Sequence, residues 1–243
     1  MYYGQGQPGV VRPVVLADGF DLGPSDLDGL YDWLENGRYP FISQLRARGR
    51  TLILVGFDER SESILRNAET MMAAIMRTSA EQLGDTRLMV GGFSRGGIVA
   101  RYALARMEAQ RVYHRAGVYV SFDSPHRGAW VPIGLQAFAH YLAKTGDDTY
   151  LWHISSPASQ QMLWGYLTAL DGTPAESSLR TQFKEQLQQV GDWPLMPRLI
   201  GVASGRGHGV GNGVRAGLGV QRQMEGASPA TVRYSERIVH RSQ

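Results

Sequence analysis

Apolar residues gather in short uninterrupted runs bounded by glycine, proline or aspartate, at positions 14–17, 52–57, 88–90 and 118–122. Runs of that length without polar alternation read as strands buried on both faces of a parallel sheet. Amphipathic stretches separate them. Across 63–83, Ile64, Ala68, Met71, Met72, Ile75 and Met76 recur every three to four positions, and 96–110 repeats the spacing through Val99, Ala103 and Met107. That is the period of a helix with one face on a sheet. Methionines at this spacing read as core packing rather than a ligand-binding stripe. Strand and helix in alternation predict the α/β class, with a mostly parallel, doubly wound sheet.

From 135 to 191 the strand signal stops. A mostly helical stretch follows, with Phe138, Tyr141, Leu151, Trp152, Met162, Leu163, Trp164, Tyr166 and Leu167 along it. It reads as an insertion: either an apolar cap or lid over a pocket, or ordinary helices packed on the same core. The expected organisation is a core of residues 1–134 and 192–243 interrupted by a helical insertion, 135–191. Strand character returns at 199–203. Eight glycines then fall between 201 and 219, which excludes regular structure, and their spacing does not make a dinucleotide loop. One weak strand candidate remains at 230–234. The carboxyl end, rich in glycine and arginine and poor in apolar residues, is expected to be irregular or truncated.

The composition narrows the class of partner. The 243 residues are 43% hydrophobic and 19% charged, enough apolar material for a sizeable core. The formal charge of +3 comes from scattered arginines with only Lys144 and Lys184 beside them, so no basic stripe for nucleic acid is present. No cysteine occurs, which removes disulfides, thiol nucleophiles and thiolate metal sites. No apolar run approaches the ~18 residues that span a bilayer, and residues 2–9 lack the features of a signal peptide. A cytoplasmic location is expected, or a secreted one if a leader is missing. Oligomeric state is not legible.

The sharpest local feature is Gly92-Phe93-Ser94-Arg95-Gly96. Glycine is frequent here, so the letters alone carry little weight, but the match lies directly between the strand at 88–90 and the helix at 96–110. Strand, turn and helix are the setting of a nucleophile elbow, in which glycines at 92 and 96 remove side chains that would collide with the turn. A glycine-rich tight turn with a surface serine is the plainer reading. A serine nucleophile needs a base for its proton and donors for an oxyanion. One donor would be the backbone N–H of Arg95. The second would come from Ala17-Asp18-Gly19-Phe20, after the first strand, through the N–H of Phe20. Asp18 and Asp21 read as loop hydrogen-bond acceptors rather than a metal pair.

After the strand at 118–122 comes Asp123-Ser124-Pro125-His126. Asp123 falls at the same sheet edge as Ser94 and is the candidate acid; a strand-end carboxylate capping the next turn is the alternative. His126 is close in sequence to Asp123, but Pro125 and the turn are expected to aim it elsewhere, and it reads as a supporting residue. Beyond the insertion stand His208 and His240, of which His240, after the last strand candidate, has the expected position. No aspartate follows Asp192, so a later acid would have to be Glu225 or Glu236.

These residues resemble the α/β-hydrolase superfamily, and more narrowly bacterial lipases and esterases related to the GPI inositol-deacylase-like lipases. The resemblance is carried by the stretch from Pro13 to Asp21, by Arg66-Asn67-Ala68, by Gly91 to Gly97 with Arg101-Tyr102-Ala103-Leu104, and by Ser121 to Ala129. With Ser156-Pro157-Ala158 to Met162-Leu163 it covers about residues 11 to 205. Asp18-Gly19 stands where such lipases often carry His-Gly. The resemblance implies a serine hydrolase acting on a small-molecule or lipid ester, with a triad of Ser94, Asp123 and His240 and no metal or cofactor. An α/β-hydrolase scaffold without its catalytic histidine is the alternative. A nucleotide-binding reading is disfavoured, because the turn at Ser94 is not a phosphate loop.

Overall fold

The computed structural model describes residues 1–203. Among them, β1 (Val14–Ala17), β2 (Leu52–Val55), β3 (Leu88–Phe93), β4 (Ala116–Phe122) and β5 (Arg198–Val202) form one parallel sheet in the order β2-β1-β3-β4-β5. The order reverses between β1 and β3. In open α/β sheets that switch point, outside the carboxyl ends of the strands, is where a crevice opens. The loop after β1 and the turn after β3 flank it.

The strand cores lie where the apolar runs predict, with shifted ends. β2 stops at Val55 rather than 57, β4 begins at Ala116, and β3 continues past 90 through Gly91 and Gly92, which stay in register with Val120 and Ser121. The elements form a doubly wound parallel sheet, with helices on both faces. On one face Val15, Ala17 and Val90 pack against α3 (Ile64–Glu81) and α4 (Arg95–Ala109). On the other, Val14, Leu16, Leu52 and Leu54 meet α1 (Leu27–Glu35) and α2 (Phe41–Ala47), two short helices that the periodicity did not predict. Alternate strand residues thus serve two cores, which is why the runs carry no polar positions.

Helix α3 starts at Ser63, whose hydroxyl accepts the N–H of Leu65, and buries Ile64, Ala68, Met71 and Ile75 completely. Met76, at the edge of that stripe, is exposed instead. Helix α4 is the central element: Val99, Ala103 and Met107 are fully buried, and so is the side chain of Arg95 at its first turn. Between β4 and β5 run α5 (Ile133–Lys144), α6 (Thr149–Ser155), α7 (Pro157–Met162) and α8 (Ser178–Gln189). Ala158 and Met162 of α7, with Phe183 and Leu187 of α8, join the core over α3 and α4. Helices α5 and α6 instead leave Phe138, Tyr141, Tyr150 and Trp152 exposed. The strand candidate at 230–234 lies outside the described residues.

Candidate active site

Ser94 closes β3 and opens α4 with φ 49° and ψ −122°, a left-handed conformation that costs a non-glycine residue about 1–3 kcal/mol. Its N–H donates to the carbonyl of Phe122 at 2.8 Å, and its side chain is exposed. A Cβ on Gly92 would strike the backbone of Gly96, and one on Gly96 would strike the carbonyls of Ala17 and Asp18. The two glycines therefore let strand, turn and the loop after β1 approach, as an elbow requires. The amino terminus of α4 lies beneath the serine, with its partial positive charge toward the site.

The loop after β1 is held from several sides. Asp18 takes the N–H of Gly19 at 2.7 Å, Asp21 takes that of Leu22 at 2.9 Å, and Glu59 takes that of Gly23 at 2.9 Å. The bond from Leu22 is the largest cause holding the Asp21 carboxyl below its ordinary range, and Arg60 and His153 add to it. The N–H of Asp18 donates to Val55. Phe20 lies in this loop and Arg95 is the first residue of α4. These are the two donors that the sequence singles out. Asp18 and Asp21 serve as loop acceptors, as expected, and the described residues contain no cluster fit to hold a metal ion.

Asp123 leaves β4 one position beyond Phe122, the register partner of Phe93, so it stands beside Ser94 at the sheet edge. Its φ is 49° and its N–H donates to Val202 of β5 at 2.7 Å. The segment after it is fastened by Arg180 of α8, which donates to the carbonyl of Arg127 at 2.9 Å and to those of Gln161 and Met162.

His126 turns inward. Its Nε2 lies 3.1 Å from the Ser121 hydroxyl and its Nδ1 3.5 Å from Arg101, with its ring centroid 4.9 Å from that of Trp193. Burial, with the Arg101 charge assisting, lowers its pKa to about 3 and keeps the imidazole neutral. Arg101 itself stacks 3.7 Å over Trp193 and binds the carbonyl and carboxylate of Asp192. His208 and His240, with Glu225 and Glu236, lie outside the described residues.

Three contacts at the site escape a reading of the sequence. Arg60 reaches Asp21 at 3.4 Å and the carbonyl of Leu22 at 3.1 Å. His153 of α6 lies 3.4 Å from Asp21, with its ring against Phe20. The buried guanidinium of Arg95 points to Gly19. The first two carry no local signal, being distant in sequence. The third is no nearer, spanning 76 positions. On the far side of the elbow Trp33 stands edge-on to Phe93, and Phe93 stacks on Phe122. A cleft of about 490 Å³ between α3, α4 and α8 is a separate feature. Its nearest α4 residue, Tyr102, lies eight positions from Ser94, roughly 12 Å along the helix.

No protein-family model matches the chain, and no curated protein does. Among solved structures it is similar to the mature lipase BlEst2 of Bacillus licheniformis, at 16% identity and a TM-score of 0.44 over 80% of this chain and 66% of that one. It is also similar to the metagenomic carboxyl esterase MGS0156, at 18% identity and 0.41 over 82% and 51%. For brefeldin A esterase, described as a bacterial homologue of human hormone-sensitive lipase, the values are 14%, 0.39, 82% and 62%. The chain spans less than two thirds of the length of each.

Proposed function

We propose that the protein is a serine hydrolase that cleaves carboxylic esters through an acyl-enzyme on Ser94. The observation that carries the reading is the conformation of Ser94: exposed, at φ 49°, between a parallel strand and a helix amino terminus. Such strain persists where the surroundings over-determine it, and it clusters at sites of chemistry. The hydroxyl oxygen attacks the ester carbonyl while a base takes its proton, and the tetrahedral oxyanion receives the N–H groups of Phe20 and Arg95. Collapse breaks the bond to the alcohol, which leaves with that proton. Water then repeats the sequence on the acyl-enzyme and releases the acid. Asp123 orients the base, and His240 is the residue we assign to that role, with His208 the competitor.

The test is labelling by a fluorophosphonate probe, comparing the protein with Ser94→Ala, His208→Ala and His240→Ala. Labelling lost in Ser94→Ala identifies the nucleophile, and the histidine change that also abolishes it names the base. A folded protein that takes no label is a scaffold of this fold without hydrolase activity.

A further inference from the structure

We propose that the Arg95 side chain is a positioning residue for the oxyanion site, gripping the peptide that carries the second donor, so that one residue supplies one donor from its backbone and sets the other with its guanidinium. The proposal rests on the serine hydrolase reading of Ser94 and concerns how that site stabilises charge.

The geometry begins with an unusual burial. Arg95 has no exposed surface, and its guanidinium lies 4.7 Å over the ring of Phe57. Burial lowers its pKa to about 10 while the Asp18 charge opposes the fall, so it stays a cation at neutral pH. Its Nη2 and Nε reach the carbonyl oxygen of Gly19 at 3.3 and 3.4 Å. Nη1 is buried and has no hydrogen-bond partner among the described residues. A cation taken out of water with a donor unsatisfied is costly, and a neutral side chain of similar length would fill the same space at less cost. What the charge does there is decided by the group it touches.

That group is half of a peptide whose other half is the donor. The carbonyl of Gly19 and the N–H of Phe20 belong to one planar trans unit and point in opposite directions. A guanidinium fixing the oxygen therefore turns the N–H of Phe20 away from itself. The N–H of Gly19 is already held by Asp18, which leaves that of Phe20 for a ligand. A β-carbon on Gly19 would stand 3.7 Å from that of Ser94, so the gripped peptide lies against the nucleophile. Cation, carbonyl, N–H and oxyanion form a chain in which each hydrogen bond polarises the next, strongest when negative charge develops at its end. Arg60, on the carbonyls of Leu22 and Gly23, holds the far end of the same loop.

The experiment compares the wild-type chain with Arg95→Met and Arg95→Lys, using a p-nitrophenyl ester for kcat and KM. An alkylboronic acid, whose serine adduct places a negative oxygen at the oxyanion position, gives a Ki. Arg95→Met is expected to lower kcat about 10²-fold, to weaken the boronate Ki by a similar factor and to leave KM within threefold. Arg95→Lys, a point charge in place of a fork, should fall between the two, near tenfold. A merely structural residue would move Tm without this split. A folded Arg95→Met with wild-type kcat and Ki overturns the proposal, and if that variant does not fold, an unchanged kcat in Arg95→Lys does. The hydrolase reading is checked separately in the wild type, where absence of fluorophosphonate labelling at Ser94 would overturn that reading and this proposal with it.

Discussion

Ser94 and Asp123 leave neighbouring parallel strands one residue beyond the paired Phe93 and Phe122, and both stand at φ 49°. Each strand is followed by a residue of positive φ, and the Ser94 N–H is tied to the carbonyl of Phe122, the residue just before Asp123. The pair is thus set by the sheet itself rather than by a flexible loop. Changing Asp123 to Asn keeps shape and removes charge. If Asp123 orients the base, kcat should fall by about 10³ to 10⁴ with KM little changed, as expected when an imidazole loses its orienting carboxylate. Turnover within threefold of wild type would move the acid to Glu225 or Glu236.

Gly96 measures how tightly the turn after β3 meets the loop after β1. A methyl group there would fall on the carbonyl oxygens of Ala17 and Asp18, and backbone cannot step aside as a flexible side chain can. Gly96→Ala should cost about 1–3 kcal/mol in denaturant unfolding and displace the loop that carries Phe20. Gly134 of α5 is the contrast, since a Cβ there meets nothing within 4 Å. Gly134→Ala should be neutral or stabilise by roughly 0.5–1 kcal/mol through lower chain entropy. Equal effects at the two positions would refute the close approach.

His126 gives the fold a pH dependence with a definite sign. The unfolded imidazole takes up its proton near pH 6.5 and the folded one near 3, because burial and the Arg101 charge oppose protonation. Its contribution is therefore full above pH 6.5 and is lost as pH falls toward 3, at up to about 1.4 kcal/mol per pH unit. Carboxylates titrate in the same range, so the measurement is a difference: unfolding free energy of wild type minus that of His126→Asn, from pH 7 to 4. The difference should shrink as pH falls. A constant difference would mean that His126 titrates in the fold as it does in the unfolded chain, and a growing one that its imidazolium is favoured there.

How much of this was legible follows from the range of each interaction. The strands and α3 and α4 were legible because burial on a sheet imposes a local period. Helices α1 and α2 were not, since their apolar positions, Leu27, Leu30, Tyr31 and Leu34 in one and Phe41, Ile42 and Leu45 in the other, cover no more than about two turns each and are mostly only half-buried. Ser94 and Asp123 were legible from order alone: a residue that follows a parallel strand falls at the carboxyl edge wherever its strand sits. The grip of Arg95 on Gly19 spans 76 positions and that of Arg60 on Leu22 spans 38, so no local pattern records either. His126, read as a supporting residue, packs against Ser121, Arg101 and Trp193. Its partners, Arg101 and Trp193, are visible only once α4 and the segment before β5 are brought together.

The aromatic row beside the serine makes a claim about substrate that rests on the hydrolase reading. Trp33 is 67% exposed and meets Phe93 at 5.8 Å and 88°, and Phe93 stacks on Phe122 at 5.1 Å. Phe93 and Phe122 immediately precede Ser94 and Asp123, so an acyl chain leaving the serine toward α1 would lie along these rings. Each methylene removed from water there contributes about 0.8 kcal/mol. Trp33→Ala removes the outermost ring and should lower kcat/KM for an octanoate ester about tenfold relative to an acetate ester, the effect of roughly two methylenes. The acetate itself should be little affected, because its methyl group does not reach that far. If the octanoate-to-acetate ratio is unchanged, the chain runs the other way, toward the exposed Trp152 on α6. The same ester series measured on Trp152→Ala would then show the loss.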